Sequence, residues 1–351
     1  MVYVGLDYHT KWSYLTILND EHEEVVEAKL DSRCELAEYL SQLPDAKVLF
    51  EAGYGWPRLA KTLEEIDIEL MMCHPEENRR IACDRRKSDR RDSRNLAVYL
   101  KTGTYKPAYM PDEAVRDERQ FMRGRTYLSW KITRVKNQIH SLLAYAGIPK
   151  ETVSIFAMKR RHYLETVEVP ERTREMLDVN IRELDFLIEQ LAIIDKQIVE
   201  MNRHDPLARL LKTIPGIGDI SARVILAEVG DIGRFPTDKS LVCFTGLTPK
   251  QHQSGNTMRT MGITKEGSAH MRWVYVQAAW IALRFDPALR EFYERLEKEK
   301  GAAKAICAVA HKLVSATWHI LNKRTPYRPQ KPKAEGKPAV ARGKSAAPAA
   351  G

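Results

Sequence analysis

The first seven residues, MVYVGLD, constrain the fold more than any other stretch of the chain. A short, β-branched, apolar run bounded by polar residues reads as a buried strand. This one ends in a carboxylate, Asp7. Residues 46–51 (AKVLFE) repeat the pattern and end in Glu51. Two buried strands that each finish on an acid can bring those acids side by side, and the residues between them must then supply a sheet and its cover.

The intervening sequence does so. Residues 12–18 (WSYLTIL) alternate as a second strand and residues 23–30 (EEVVEAKL) make a third, giving an antiparallel meander. A helix is expected over 32–43 with Ser32 as its N-cap. After the AKVLFE strand comes a Gly53-Tyr54-Gly55 turn, then a helix opened by Pro57 and a strand over 66–73. Three strands, a helix, a strand, a helix and a strand is the order of a ribonuclease-H-like fold, an expectation that rests on element order alone.

A third acidic element follows. Residues 79–94 (RRIACDRRKSDRRDSR) hold eight basic and three acidic residues. Charge runs of this kind are usually a solvated helix face. The spacing of Asp89 and Asp92, however, puts both on one face of a helix, where like charges repel unless cations compensate. Together with the acids at the strand ends, the pair forms the donor set that a hard divalent cation requires. The flanking Arg85, Arg86, Lys87, Arg90 and Arg91 are placed to hold phosphates nearby.

Beyond residue 110 the pattern changes. Leu128, Ile132, Val135, Ile139 and Leu142 step by three and four, as do Ile181, Leu184, Ile188, Leu191, Ile194, Ile198 and Met201. Residues 111–205 are therefore a helical region, read either as a coiled-coil arm for oligomerisation or as a helical hairpin packed on its own domain. Residues 210–230 (LLKTIPGIGDISARVILAEVG) resemble a helix-hairpin-helix. Gly216 and Gly218 would let backbone amides approach a phosphate beside a helix N-terminus, though a glycine turn between two core helices has the same appearance. Residues 244–272 form a long polar stretch, expected to be a loop, with Lys250, Arg259, Lys265 and Arg272 against the single acid Glu266. Ser254 beside Gly255 is either an exposed nucleophile or a turn serine. Helices are expected over 269–285, 287–300 and 302–321, and a disordered basic tail over 324–351.

Composition narrows the partner. The 351 residues carry a net charge of +9 and a pI of about 9.2, which favours a polyanion, nucleic acid before membrane. The five cysteines, Cys34, Cys73, Cys83, Cys243 and Cys307, are scattered without a CxxC pair. Neither a zinc ribbon nor a disulfide framework is expected, and a reducing, cytoplasmic setting is. No signal peptide and no membrane span is expected.

Five segments, taken as a set, resemble the DEDD-type transposases of the insertion sequence 110 family. They are VGLDYH, LFEAGYG, KSDRRDSRNLA, TIPGIGDISARVILAEVGDIGRF and CFTGLTPKQHQSGNTMRTMGITKEGSAHMR, and they span residues 1 to about 320 in the family's order. Ser88 stands for the family's Thr and Ser93 for its Ala around the acid pair. The resemblance implies a RuvC-like catalytic domain over 1–110, a coiled-coil region over 111–205 and a mostly helical transposase domain over 206–323. It implies that Asp7, Glu51, Asp89 and Asp92 hold Mg²⁺ and that Ser254 is a catalytic nucleophile. It also implies donor and target DNA as partners, a structured noncoding guide (bridge) RNA, a homo-oligomer (dimer or tetramer) with composite sites, and a prokaryotic, nucleoid-associated location. Two other classes stay open on the residues: a RuvC-like structure-specific endonuclease using water, and a non-catalytic nucleic-acid-binding protein with structural acids.

Overall fold

The computed structural model describes residues 1–20, 24–43, 45–75, 88–149, 155–156, 161–254 and 257–329. The chain divides into two compact units, Met1–Asp117 and Glu118–Gly351.

The first unit is a five-stranded mixed sheet in the order β3-β2-β1-β4-β5. Its strands are β1 (Val2–Tyr8), β2 (Ser13–Leu18), β3 (Glu24–Leu30), β4 (Ala46–Glu51) and β5 (Glu69–Cys73). β1–β2 and β2–β3 are antiparallel; β1–β4 and β4–β5 are parallel. Its helices among the described residues are α1 (Arg33–Ser41), α2 (Trp56–Leu63) and α3 (Asp89–Thr102). The element order is the one the sequence predicts. Ser32 caps α1, its hydroxyl accepting from the Glu35 amide at 3.1 Å, and Pro57 sits in the first turn of α2. β5 is shorter than expected, because residues 66–68 turn, with the Ile68 amide donating to the Ile66 carbonyl at 2.9 Å.

The sheet buries both faces, and the period of two decides which residue goes where. Val4, Leu6, Val48 and Phe50 pack on one side with Leu36, Leu40, Leu59 and Leu63 of α1 and α2. Tyr3, Leu49, Met71 and Cys73 face the other side, with Leu96 and Leu100 of α3. Gly5 lies on that second face, and α3 crosses directly over it. A Cβ on Gly5 would overlap the Ser93 carbonyl oxygen and the Ala97 amide nitrogen. A buried hydrogen bond of 2.8 Å between the Thr16 and Ser93 hydroxyls fixes the crossing.

Among its described residues the second unit is mostly helical, with one hairpin. It contains most of α4 (Glu113–Tyr145), then α5 (Arg161–Thr166), α6 (Glu171–His204), α7 (Pro206–Leu211), α8 (Asp219–Val229), α9 (Asp238–Thr245), α10 (Ala269–Phe285), α11 (Pro287–Lys300) and α12 (Ala302–Lys323). The two long helices pack through Ile132, Val135, Ile139 and Leu143 against Leu177, Ile181, Leu184 and Leu187. Arg125, early in α4, makes a two-pronged contact with Asp195, late in α6, at 2.9 and 3.0 Å, so they run antiparallel. A larger core joins α7–α12 around the fully buried Tyr275.

The polar stretch 244–272, expected to be a loop, folds in part as an antiparallel hairpin, β6 (Pro249–Ser254) and β7 (Thr257–Ile263). Its strands, PKQHQS and TMRTMGI, lack the regular apolar alternation that marks a half-buried strand. The two residues between them, Gly255 and Asn256, are of the kind that closes a hairpin. No helix among the described residues is long and apolar enough to cross a membrane.

Candidate active site

Four acids of the first unit sit on elements that finish at the same end of the sheet. Asp7 is the last residue but one of β1, and Glu51 is the last of β4. The parallel ladder pairs Leu6 with Phe50, so Asp7 and Glu51 come next in register, on the face covered by α3. Asp89 and Asp92 are in the first turn of α3, where the helix dipole favours carboxylates. Because α3 crosses over Gly5, two residues from Asp7, that turn is brought above the strand end.

The electrostatics record the convergence. Burial pushes the Asp7 carboxyl above its ordinary range, and Asp89 and Asp92 push the same way against the lowering pull of His9. A buried carboxyl that resists ionisation beside other acids is a group whose charge a divalent cation would stabilise. Ligand atoms of Asp7, His9 and Asp89 lie within 4.8 Å of one another, a spacing a single cation can span. Glu51 also bears on Cys73, its partner in the β4–β5 ladder; burial first, and then the Glu51 charge, push that thiol up to about 12.

His9 is the residue the sequence reading missed. Its Nε2 stands 3.4 Å from the Asp7 carboxylate, and its ring stacks on Trp12 at 3.9 Å between centroids. Its amide donates to the Trp12 carbonyl at 3.0 Å, so the tight β1–β2 turn fixes where the ring points. The HTKW that follows the strand was the available signal.

The basic residues fare differently. Arg85, Arg86 and Lys87 lie outside the described residues. Arg90 forms an ion pair with Glu27 of β3, and Arg91 is exposed. In the second unit, Gly216 has φ +87° and is pressed on the backbone of α10. A Cβ there would overlap the Ala278 carbonyl oxygen, which gives this glycine a packing reason that needs no phosphate. Gly218 is the N-cap of α8 with open space around it. Lys250 and Lys265 are exposed. Arg272 turns inward, donating to the carbonyls of Thr245 (3.0 Å) and Lys265 (3.2 Å). It therefore fastens the base of the β6–β7 hairpin. Ser254 pairs with Thr257 at the far end of that hairpin, and Arg259 pairs with His252.

Beneath the same base lies a buried carboxylate that the sequence reading did not single out, Glu228 of α8, 3% exposed. Arg123 holds it in a two-pronged contact at 2.9 and 3.1 Å, and the Ser268 hydroxyl donates to it at 3.2 Å. Ser268 also caps α10. Burial pushes Glu228 up, but Arg123, Arg119 and His270 outweigh it and hold the group below its ordinary range.

Comparison with known proteins decides the family. Residues 4–147 match the DEDD transposase model of the IS110 group, and residues 208–294 match "Transposase IS116/IS110/IS902 family". The chain belongs to the IS110 family of transposases. It is similar to a transposase for insertion sequence element IS1328 of Yersinia enterocolitica, 24% identical over 340 residues, covering 92% of this chain and 97% of that one. A probable family 20 transposase of Pseudomonas aeruginosa is 24% identical over 322 residues, covering 88% and 94%. The pilin gene-inverting protein of Moraxella bovis is 30% identical over 186 residues, covering 48% and 57%. The matched segments contain all four acids and Ser254. As a member of this family the chain is a DNA transposase, an enzyme of recombination.

Proposed function

We propose that this transposase cuts and rejoins DNA strands with Asp7, Glu51, Asp89 and Asp92 as the ligands of Mg²⁺ and Ser254 as the nucleophile. The observation that carries the reading is the approach of the Asp7 and Asp89 carboxylates, with the Asp92 charge acting on Asp7, at the end of a five-stranded mixed sheet; the element order supports a ribonuclease-H-like, RuvC-like domain. The donor set is rich in carboxylate oxygen, which fits a hard divalent ion. Bound there, the ion would supply charge stabilisation to the oxygens of the scissile phosphate.

The chain's own residues do the rest. The Ser254 hydroxyl attacks phosphorus: an Oγ–P bond forms, one P–O bond to deoxyribose breaks, and the departing oxygen takes up a proton. The phosphate diester is conserved in the protein–DNA link, so attack by another strand's hydroxyl reseals DNA without ATP and returns the serine. The hairpin bearing Ser254 is pinned by Arg272 and, through Ser268, by Glu228. Arg85, Arg86, Lys87, Arg91, Lys250, Arg259 and Lys265 would contact phosphates, an electrostatic role that fits the net charge. A structured guide RNA pairing with donor and target DNA, a homo-oligomer with composite sites and a nucleoid-associated location complete the reading, as the family implies.

The test is a Mg²⁺-dependent cleavage assay on a fragment spanning the element's junction, with its adjacent noncoding RNA. Wild type is expected to give a covalent adduct that both Ser254→Ala and Asp92→Asn lose. If Ser254→Ala still cuts while Asp92→Asn does not, the enzyme is a RuvC-like endonuclease that uses water.

A further inference from the structure

One face of the second unit has a composition that neither its core nor the hairpin explains. From 119 to 149 the chain carries six Arg and Lys and no Asp or Glu. Arg119, Arg123 and Arg125 turn to partners within the fold. The remaining outward positions of α4 recur at helical spacing: Tyr127, Trp130, Lys131, Arg134, Gln138 and Ser141, all exposed.

The aromatic members are unusually open. Trp130 is 57% exposed, Tyr127 55%, and Trp273, across from them on α10, 50%. Large rings are normally the first side chains a fold covers. Their arrangement is ordered. Trp130 stacks on His270 with ring centroids 5.9 Å apart and planes 15° from parallel, and the Lys131 ammonium sits 4.9 Å from the Tyr127 ring centroid. A hollow of about 440 Å³ opens between Tyr127, Trp130, Lys131, Arg134, Val135 and Glu183, within the range of roughly 300–1,000 Å³ that holds small organic ligands. Glu183 is the one acid lining it.

Two occupants suit exposed aromatics: a protein surface or unpaired bases. The core of a protein interface is depleted of charged residues, whereas here Lys131 and Arg134 alternate with the rings. Aromatic faces interleaved with cations are the surface that single-stranded nucleic acid requires, rings for the bases and cations for the phosphates. We propose that Tyr127, Trp130 and Trp273, flanked by Lys131 and Arg134, form a platform on which unpaired bases of single-stranded DNA stack. The assignment to DNA rests on the strand-exchange reading above, because exchanging strands must first unpair them; the platform itself needs no cleavage and no metal.

The test is equilibrium binding of the full chain to three 15-nucleotide probes without Mg²⁺: oligo-dT, its abasic counterpart with the same phosphates, and oligo-U. Trp130→Ala is expected to weaken oligo-dT binding about five- to 150-fold, the range for losing one stacked base, and to leave abasic binding unchanged. Trp130→Phe should restore most of the loss, which a variant with a damaged fold would not. Lys131→Ala should weaken both DNA probes and flatten the salt dependence. Equal loss of dT and abasic binding in Trp130→Ala, or no loss of either, overturns the proposal. A shift in sedimentation with unchanged oligonucleotide affinity makes the face a contact between copies and also overturns it. Tenfold or greater preference of the wild type for oligo-U overturns the assignment to DNA. Failure of any of these leaves the acids and Ser254 untouched, since cleavage is not read.

Discussion

Gly5 has no room for a side chain because the Ser93 carbonyl oxygen stands where its Cβ would be. That contact lets α3 cross the middle of β1 at backbone distance, and it sets the height of Asp89 and Asp92 above Asp7. Gly5→Ala is expected to cost about 3 kcal/mol by overpacking and to abolish Mg²⁺-dependent cleavage, since the helix must lift. Gly124→Ala is the counterpart. It lies inside α4 with nothing within 4 Å of an added Cβ, and should gain about 0.5–1 kcal/mol. Urea unfolding of the two variants beside wild type measures both.

Asp7 makes the first unit less stable at neutral pH. Its folded-state pKa is raised, chiefly by burial and further by Asp89 and Asp92. The folded chain therefore holds the proton to higher pH than the unfolded chain does. Stability falls as pH rises from the ordinary value of 3.8 through the raised folded-state value. Asp7→Asn should melt higher than wild type at pH 7 and lose that advantage near pH 3. Mg²⁺ should raise the wild-type melting temperature and leave the variant's unchanged. At a concentration about 100 times Kd the gain for wild type is about 2.7 kcal/mol.

Much of this site is legible in the chain. Asp7 and Glu51 end apolar runs whose period of two is unambiguous, and Asp89 and Asp92 follow a helical spacing. What escapes is whatever depends on contact between distant segments. His9 acquires its place from a turn that stacks it on Trp12. Gly216 reads as a phosphate-binding glycine, yet its pressure against Ala278 is set by a helix more than fifty residues away. The β6–β7 hairpin escapes hydrophobic patterning because its strands, PKQHQS and TMRTMGI, carry no regular apolar alternation; Gly255-Asn256 is the sequence signal for it. Glu228 left one trace, an acid inside the apolar run VILAEV.

Glu228 is expected to anchor the second unit. Replacing it with Gln breaks its pairing with Arg123 and weakens the Ser268 contact. With Arg123 half exposed, the loss should be about 2–4 kcal/mol, toward the lower end of what breaking a buried ion pair costs. The depressed pKa of Glu228 contributes stability that is present above its unfolded value near 4.5 and lost as pH falls through the folded value. Glu228→Gln should therefore lose less stability than wild type between pH 5 and pH 3, roughly the window where a depressed carboxylate titrates. Thermal melts across that range decide it.

Arg272 should separate positioning from DNA affinity. Because its guanidinium fastens the Thr245 and Lys265 carbonyls, Arg272→Ala is expected to lower adduct formation at least tenfold, the effect of losing about 1.4 kcal/mol of alignment. Affinity for duplex DNA should change less than twofold. Arg272→Lys, which reaches one carbonyl but not two, should recover only part of the rate. A parallel loss of affinity would return Arg272 to the phosphate-binding set.

The central claim is that Ser254 carries the DNA end, and peptide mapping tests it most directly. Wild-type protein would be trapped with junction DNA and Mg²⁺, digested with nuclease and protease, and its adduct located by mass spectrometry. A nucleotide mass on the peptide containing Ser254, absent when Asp92 is Asn, is the predicted result. A nucleotide on any other residue, or cleavage by wild type with no adduct, would contradict the account.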